Sequence, residues 1–286
     1  MKYLIFRTQN SELRTQNSEL RTQNSELRTQ NSLNNASNNQ IKLLRKLGQK
    51  KYREKEGLFI VEGERAVEQV LENSVIKVGD VFLEEEKAKS YQLTADSFYT
   101  LDSKIMNEVT DTENSQGILA ICEIPSEISI QELSKKEGLI IATDRIQDPG
   151  NLGTIVRTSA WFGASAILVG KGSVDLFNPK VVRSTAGATG MLAYKNSELS
   201  KDLEAMENAG WQVLMLDGNA GAEPIKNIEL SEKTILMVGN EANGIEKKFF
   251  GPNRKRVMIP SVENNRSVES LNAAIALSIA LYQLNS

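Results

Sequence analysis

Residues 139–163 read LIIATDRIQDPGNLGTIVRTSAWFG. The opening Leu139-Ile140-Ile141-Ala142 is a short apolar run with β-branched content, which predicts a buried strand; the Asp, Pro, Gly and Asn behind it predict a turn. A helix is expected to begin near Asn151, read as its N-cap, with Ile155, Trp161 and Phe162 as its apolar face and Gly163 as its stop. Six residues at about 100° each place Arg157 more than a full turn beyond Asn151. A loop and a cation are thereby presented together at the carboxyl end of a strand, which is where open α/β sheets bind ligands.

The same alternation continues outward. Strands are expected at 139–143, 166–169, 212–216, 234–238 and 256–259, and helices near 151–162, 178–188, 198–209 and 267–284. Residues 138–286 therefore predict an α/β unit with a parallel sheet covered on both faces. Upstream, residues 40–125 predict a smaller α/β sandwich. It consists of a basic helix, a strand at 58–61, a helix at 64–71, strands at 81–83 and 99–101 separated by a mixed helix, and a strand at 117–124. Residues 126–137 are polar and read as a linker with a short helix. Residues 1–39 form a low-complexity tail in which RTQNSEL recurs from Arg7, Arg14, Arg21 and Arg28. One leucine per heptad is too narrow a seam for a coiled coil, so disorder is expected there.

The absence of histidine among 286 residues excludes Ser-His-Asp and Cys-His catalysis and imidazole-based zinc sites. Acid–base chemistry is left to carboxylates, Lys, Tyr, Arg or water. The single cysteine, Cys122, lies in the alternating run LAICEIP and reads as a buried strand residue rather than a nucleophile. No metal site is expected. The net charge of −3 conceals a local excess: residues 41–56 hold seven Lys or Arg against two Glu. Within it, Lys42, Arg45, Lys46, Lys50, Lys51 and Arg53 read either as a phosphate-contacting patch or as a solvated helix face. The longest apolar run, 273–284, is interrupted by Ser278 and falls short of the roughly 20 residues that cross a bilayer. A cytoplasmic protein with no membrane partner is expected.

Gly170-Lys171-Gly172 does not complete a phosphate loop, because Ser165 and Gly172 occupy positions that would need Gly and Ser/Thr. Three other clusters fall near strand ends: Asn151-x-Gly153-x-x-x-Arg157, Val238-Gly239-Asn240-Glu241-Ala242-Asn243-Gly244, and Ile259-Pro260 followed by Glu269-Ser270-Leu271-Asn272. Separately they read as a cap, a tight turn and a capping box. Bland turns, however, have no reason to gather Asn, Arg, Glu, Ser and Asn.

NLGTIVR, VGNEANG and IP…ESLN resemble, in order, the three signature motifs of the SpoU (TrmH-like) ribose 2′-O-methyltransferases of the SPOUT superfamily, and NPKVVRSTAGA at 178–188 resembles the segment between the first two. The stretches YREKEGLFIVEGERAVEQVL and DTENSQGILAI are similar to the L30e-like RNA-binding domain that precedes the catalytic domain in members acting on large-subunit ribosomal RNA. The chain departs from the family in the segment SVENNRSV, which is longer than usual and lacks a customary glycine, and in having Ala273 where Val is usual. The resemblance implies a trefoil-knotted domain, S-adenosylmethionine as cofactor, RNA as substrate (ribosomal by virtue of the first unit), and a homodimer that completes each site. It implies cofactor contacts from Gly239, Asn240, Gly244, Ile259, Pro260 and Leu271, and a reaction site of Asn151, Arg157, Glu241, Ser270 and Asn272. Since an arginine pKa above about 12 keeps the guanidinium protonated, Arg157 is expected to stabilise a developing alkoxide and grip a phosphate rather than take a proton. A transfer-RNA methyltransferase and a catalytically silent RNA-binding or ribosome-assembly factor remain the alternatives.

Overall fold

The computed structural model describes residues 34–73, 75–91, 97–112, 114–218, 221–261 and 270–285. The RTQNSEL repeats, residues 262–269 of the third-motif loop and part of the mixed helix expected after residue 83 lie outside them.

The chain opens with β1 (Asn34–Asn35), α1 (Asn38–Leu47) and α2 (Lys50–Glu56). It continues through β2 (Leu58–Glu62), α3 (Glu64–Asn73), β3 (Val78–Glu84), β4 (Phe98–Leu101), α4 (Ser103–Val109) and β5 (Ile118–Glu123). These strands form one sheet in the order β1-β4-β3-β5-β2, parallel from β1 to β3 and antiparallel from β3 through β5 to β2. Asn34 and Asn35 pair with Tyr99 and Thr100, so the low-complexity tail expected to reach residue 39 gives way to the folded unit at least five residues earlier. Ser37 explains why: its side chain and that of Gln40 close a reciprocal capping box on α1. The helix α4, absent from the sequence reading, is short and capped by Asp102.

After α5 (Ile130–Leu133) the second unit contains β6 (Gly138–Thr143), α6 (Pro149–Trp161), β7 (Ala166–Gly170), α7 (Pro179–Ser184), β8 (Ala193–Ser197), α8 (Leu199–Asn208) and β9 (Gln212–Leu216). It closes with β10 (Glu223–Pro224), β11 (Lys233–Val238), β12 (Lys255–Met258) and α9 (Ala273–Leu284). All seven strands are parallel, in the order β10-β12-β9-β11-β6-β7-β8. The continuous apolar run of β6 follows from this placement. Leu139 and Ile141 enter one core while Ile140 and Ala142 enter another on the opposite face. The five strands expected from the sequence are present. Strand β8 was not legible, since AYKNS alternates at an edge with only Tyr194 and Ser197 buried. The helix expected to run to residue 188 ends at Ser184, because Ala186 and Gly187 both turn into the left-handed region.

The two units share a core. Phe177, in the loop before α7, packs at 4.9 Å from Phe59 of β2 and 5.1 Å from Tyr194 of β8, and the Tyr194 hydroxyl donates to the Pro125 carbonyl at 2.9 Å. The segment at 126–137 is docked rather than free: Ile128, Ile130 and Leu133 are buried against the parallel sheet.

Candidate active site

The loops after β6 and β11 and the mouth of α9 meet at one end of the parallel sheet. Asp148, not Asn151, caps α6. Its carboxylate accepts the Asn151 N–H at 2.7 Å, and Pro149 follows at the first helical position, where its missing donor is harmless. This correction matters chemically, since Asn151 is relieved of capping and its side chain turns to the neighbouring loops. Its Nδ2 donates to Glu241 Oε1 at 2.7 Å, and its Oδ1 accepts from Asn272 Nδ2 at 2.9 Å. Asn272 in turn caps α9, its Oδ1 accepting the N–H groups of Ala274 and Ile275 at 3.0 and 3.2 Å. The orientation of both amides is dictated from the two ends. A carboxylate can only accept, and helix N–H groups can only donate, so each Asn must offer its NH2 toward Glu241.

The second loop is held by its own side chains. Asn240 Oδ1 accepts from the N–H groups of Ala242 and Asn243 at 3.0 and 3.1 Å, and its Nδ2 donates to the Arg145 carbonyl at 2.9 Å. Residues 240 and 244 exchange both backbone hydrogen bonds, and Gly244 takes φ +65°. Gly239 must be glycine, because a Cβ there would lie 2.3 Å from the backbone of Gly244 and Ile245. Asp144 locks the first loop to the second, its buried carboxylate accepting the Glu246 N–H at 2.8 Å. The side chain of Asn240 and the N–H groups of Asn240 and Gly244 are thus committed to the loop, leaving the Gly239 backbone and the second lone pairs of the Asn240 and Gly244 carbonyls to meet a ligand. The importance of Asp144 and of the Arg145 carbonyl was not read from the sequence; the one signal was an Asp-Arg pair directly behind an apolar run.

Arg157 stands apart. It is exposed, shares the outer face of α6 with Thr154 and Trp161, and makes no hydrogen bond or ion pair with the described residues. Trp161, expected in the apolar face, is 84% exposed. Ser270, Leu271 and Pro260 are exposed and Ile259 is half-buried. A cleft of about 850 Å³ lined by Trp211, Gln212, Ser231 and Lys255 opens at the opposite ends of these strands and contains none of the motif residues. Among the described residues no cluster of acidic, cysteine or histidine side chains could hold a metal. Burial pushes the Cys122 thiol up to about 12, which removes it as a nucleophile near neutral pH.

On the first unit, Lys42, Lys46, Lys50 and Lys51 are exposed on α1 and α2. Lys46 and Lys51 lie 5.7 and 4.7 Å from the centre of the Tyr52 ring. Arg45 is forked onto Glu108 at 2.7 and 2.8 Å. Arg53 does not belong to this surface. It is 2% exposed and bonded to Asp175 of the second unit, because α2 turns it inward beneath the helix pair.

The site thus consists of a parallel sheet whose carboxyl-end loops join amides and a carboxylate, preceded by a smaller unit with a lysine-bearing face, and proteins built this way that are already known are methyltransferases. Known proteins agree on this class. The SpoU rRNA Methylase family matches residues 138–282, and the MRM3-like substrate binding domain matches residues 38–120. The 23S rRNA (guanosine(2553)-2′-O)-methyltransferase RlmP of Bacillus subtilis is 32% identical over 88% of this chain and 98% of its own. Among solved structures, a TrmH-family protein from Porphyromonas gingivalis superposes with TM-score 0.75 at 30% identity, covering 87% of this chain and 98% of its own. An AdoMet-bound rRNA methyltransferase from Sinorhizobium meliloti gives 0.74 at 26%, covering 88% and 96%. The chain belongs to the SpoU rRNA methylase family.

Proposed function

We propose that this protein transfers a methyl group from S-adenosylmethionine to a ribose 2′-hydroxyl of ribosomal RNA, acting as a cytoplasmic homodimer with a trefoil-knotted second unit. The observation that carries the reading is the unbroken Asn272–Asn151–Glu241 chain, which joins three separate sequence motifs at one point. RlmP is named for this reaction on 23S rRNA, and the S. meliloti structure for its bound AdoMet. The donor set suits that cofactor. Apolar Ile259 and Leu271, with the backbone groups of residues 239–244, match a purine nucleoside better than a polyphosphate, which would call for a glycine-rich loop ending in Lys and Ser/Thr.

When bound, S-adenosylmethionine supplies an electrophilic methyl on a sulfonium. The chain's own residues must then fix and activate the ribose oxygen. Asn151, itself held by Asn272, fixes Glu241 through Oε1, leaving Oε2 to accept the proton of the 2′-hydroxyl. The Arg157 guanidinium stabilises the alkoxide as it develops, with Ser270 positioning the adjoining phosphate.

Two features support a second copy. Ile275, Ile279 and Tyr282 form an exposed stripe at spacings of four and three along α9, with exposed Leu271 just before the helix cap, and the other face of α9 packs on α6. Arg157 is absent from the amide chain of its own protomer, so a partner docked along α6 and α9 would complete the site. The exposed lysines of α1 and α2 form the RNA-binding face. No helix among the described residues is long and apolar enough to cross a membrane.

The test is to map 2′-O-methyl positions in total RNA from cells with and without the protein. One large-subunit ribosomal position should lose its methyl group in the absence of the protein. Wild type should restore it, and Asn151→Ala should not. A loss confined to transfer RNA would reassign the substrate, and an unchanged map would overturn the proposal in favour of a silent RNA-binding factor.

A further inference from the structure

We infer that Arg53 and Asp175 form a positioning pair that sets the RNA-binding unit at a fixed angle over the reaction site, an inference that rests on the function proposed above. Arg53 lies in the most basic stretch of the chain yet is almost wholly removed from solvent. Its guanidinium is divided between the two units. Nη1 donates to the Leu47 carbonyl at the end of α1 at 2.8 Å, while Nε and Nη2 both donate to Asp175 Oδ2, at 3.1 and 2.5 Å. The other carboxylate oxygen of Asp175 accepts the Phe177 N–H at 3.1 Å. One carboxylate therefore binds the basic helix pair on one side and organises the entry to α7 on the other.

From α7 the contacts lead into the reaction site. Phe177 is wedged between Phe59 and Tyr194, and Asn178 caps α7. Helix α7 lies so close to α6 that a Cβ on Gly153 would come within 2.4 Å of the Ser184 Cβ and 2.7 Å of the Val181 carbonyl. Asn151 is two residues before Gly153 and Arg157 four residues after it. A second tie, Arg183 to Asp111 at 3.3 Å, links α7 to the first unit at a more exposed place.

A buried ion pair is costly to desolvate and is commonly no more stabilising than apolar residues of the same volume. Its directional strength is another matter, because three charge-assisted or carbonyl bonds from one planar group fix an orientation that apolar packing leaves free to slide. RNA held by the lysines of α1 and α2 is thereby delivered in register with Asn151. Arg53 touches neither RNA nor cofactor in this scheme and acts through α7.

The variants Arg53→Met, Arg53→Lys and Asp175→Asn test it in the full-length protein against a ribosomal RNA transcript, with RNA affinity, AdoMet affinity and single-turnover rate measured separately. For Arg53→Met and Asp175→Asn the rate at saturating RNA should fall at least about tenfold, as misplacement of reacting groups does, with both affinities within about threefold of wild type. Arg53→Lys, which keeps the charge and loses the fork, should fall between. Unchanged rates, or RNA affinity weakening in step with rate, would overturn the inference, the latter by placing Arg53 on RNA. Loss of cooperative unfolding in both Arg53→Met and the nearly isosteric Asp175→Asn would overturn it too, assigning the pair to folding. A wild-type enzyme that methylates no RNA would instead defeat the proposed function.

Discussion

The two halves of the candidate site are built differently. On one side, Asn151, Glu241 and Asn272 are joined to one another, and Asn240 ties its loop to the Arg145 carbonyl, all within a single chain. On the other, the side chains of Arg157, Trp161, Ile275 and Ile279 are exposed, and none of them bonds to the first half among the described residues. The amide half is preorganised by folding alone, because helix caps and loop turns consume its hydrogen-bonding capacity in one consistent direction. The arginine half carries an exposed charge and an exposed apolar surface. In the function proposed above, folding sets the geometry and assembly supplies the cation.

Arg157→Lys gives the sharpest break between the halves. Turnover should fall by about 10²–10³, the scale of losing a preorganised transition-state donor, while AdoMet affinity stays near wild type. Near wild-type turnover would mean that the exposed half plays no part in chemistry. Next in size, Ile275→Asp combined with Ile279→Asp should yield a folded monomer by sedimentation, since both side chains are exposed in the protomer. Its activity should drop at least about tenfold as the site loses its partner; a dimer that survives both charges would remove the stripe from the interface.

Asn272→Ala strikes the other half. It deletes the cap of α9 and the donor to Asn151 together, so about 1 kcal/mol of stability and roughly 2–4 °C of Tm should go with a fall in kcat, all without change of oligomeric state. An intact kcat would separate the amide chain from catalysis. Lys46→Ala with Lys51→Ala should weaken RNA binding several-fold and flatten the dependence of log affinity on log salt by roughly 1–2, raising KM and sparing kcat. Smallest of all, native Cys122 should resist thiol reagents at pH 8, because burial holds its pKa at about 12; rapid labelling would show that the shared core opens.

How much of this was legible follows from the kind of signal each element leaves. Strand β6 and its parallel neighbours were readable because a strand buried on both faces must be apolar throughout. The three motifs were readable because the same residue types gather at strand ends. The cap of α6 is ambiguous in sequence, since Asp148 and Asn151 are both good caps, and it is Pro149 at the first helical position that fixes the choice on Asp148. Trp161 was assigned inward on hydrophobicity alone, whereas its exposure follows from the spacing of seven from Thr154 and four from Arg157 on the outer face. Arg53 could not be recognised in a run of seven basic residues, since nothing local marks the one cation whose partner is 122 positions away.

The central claim is that these joined loops methylate a ribose oxygen. Ribosomal RNA incubated with the enzyme and methyl-labelled S-adenosylmethionine, then hydrolysed in alkali, tests it directly. The label should be recovered in an alkali-resistant dinucleotide with wild type and be absent with Asn151→Ala. Label on a base in a mononucleotide, or equal labelling by the variant, would contradict it.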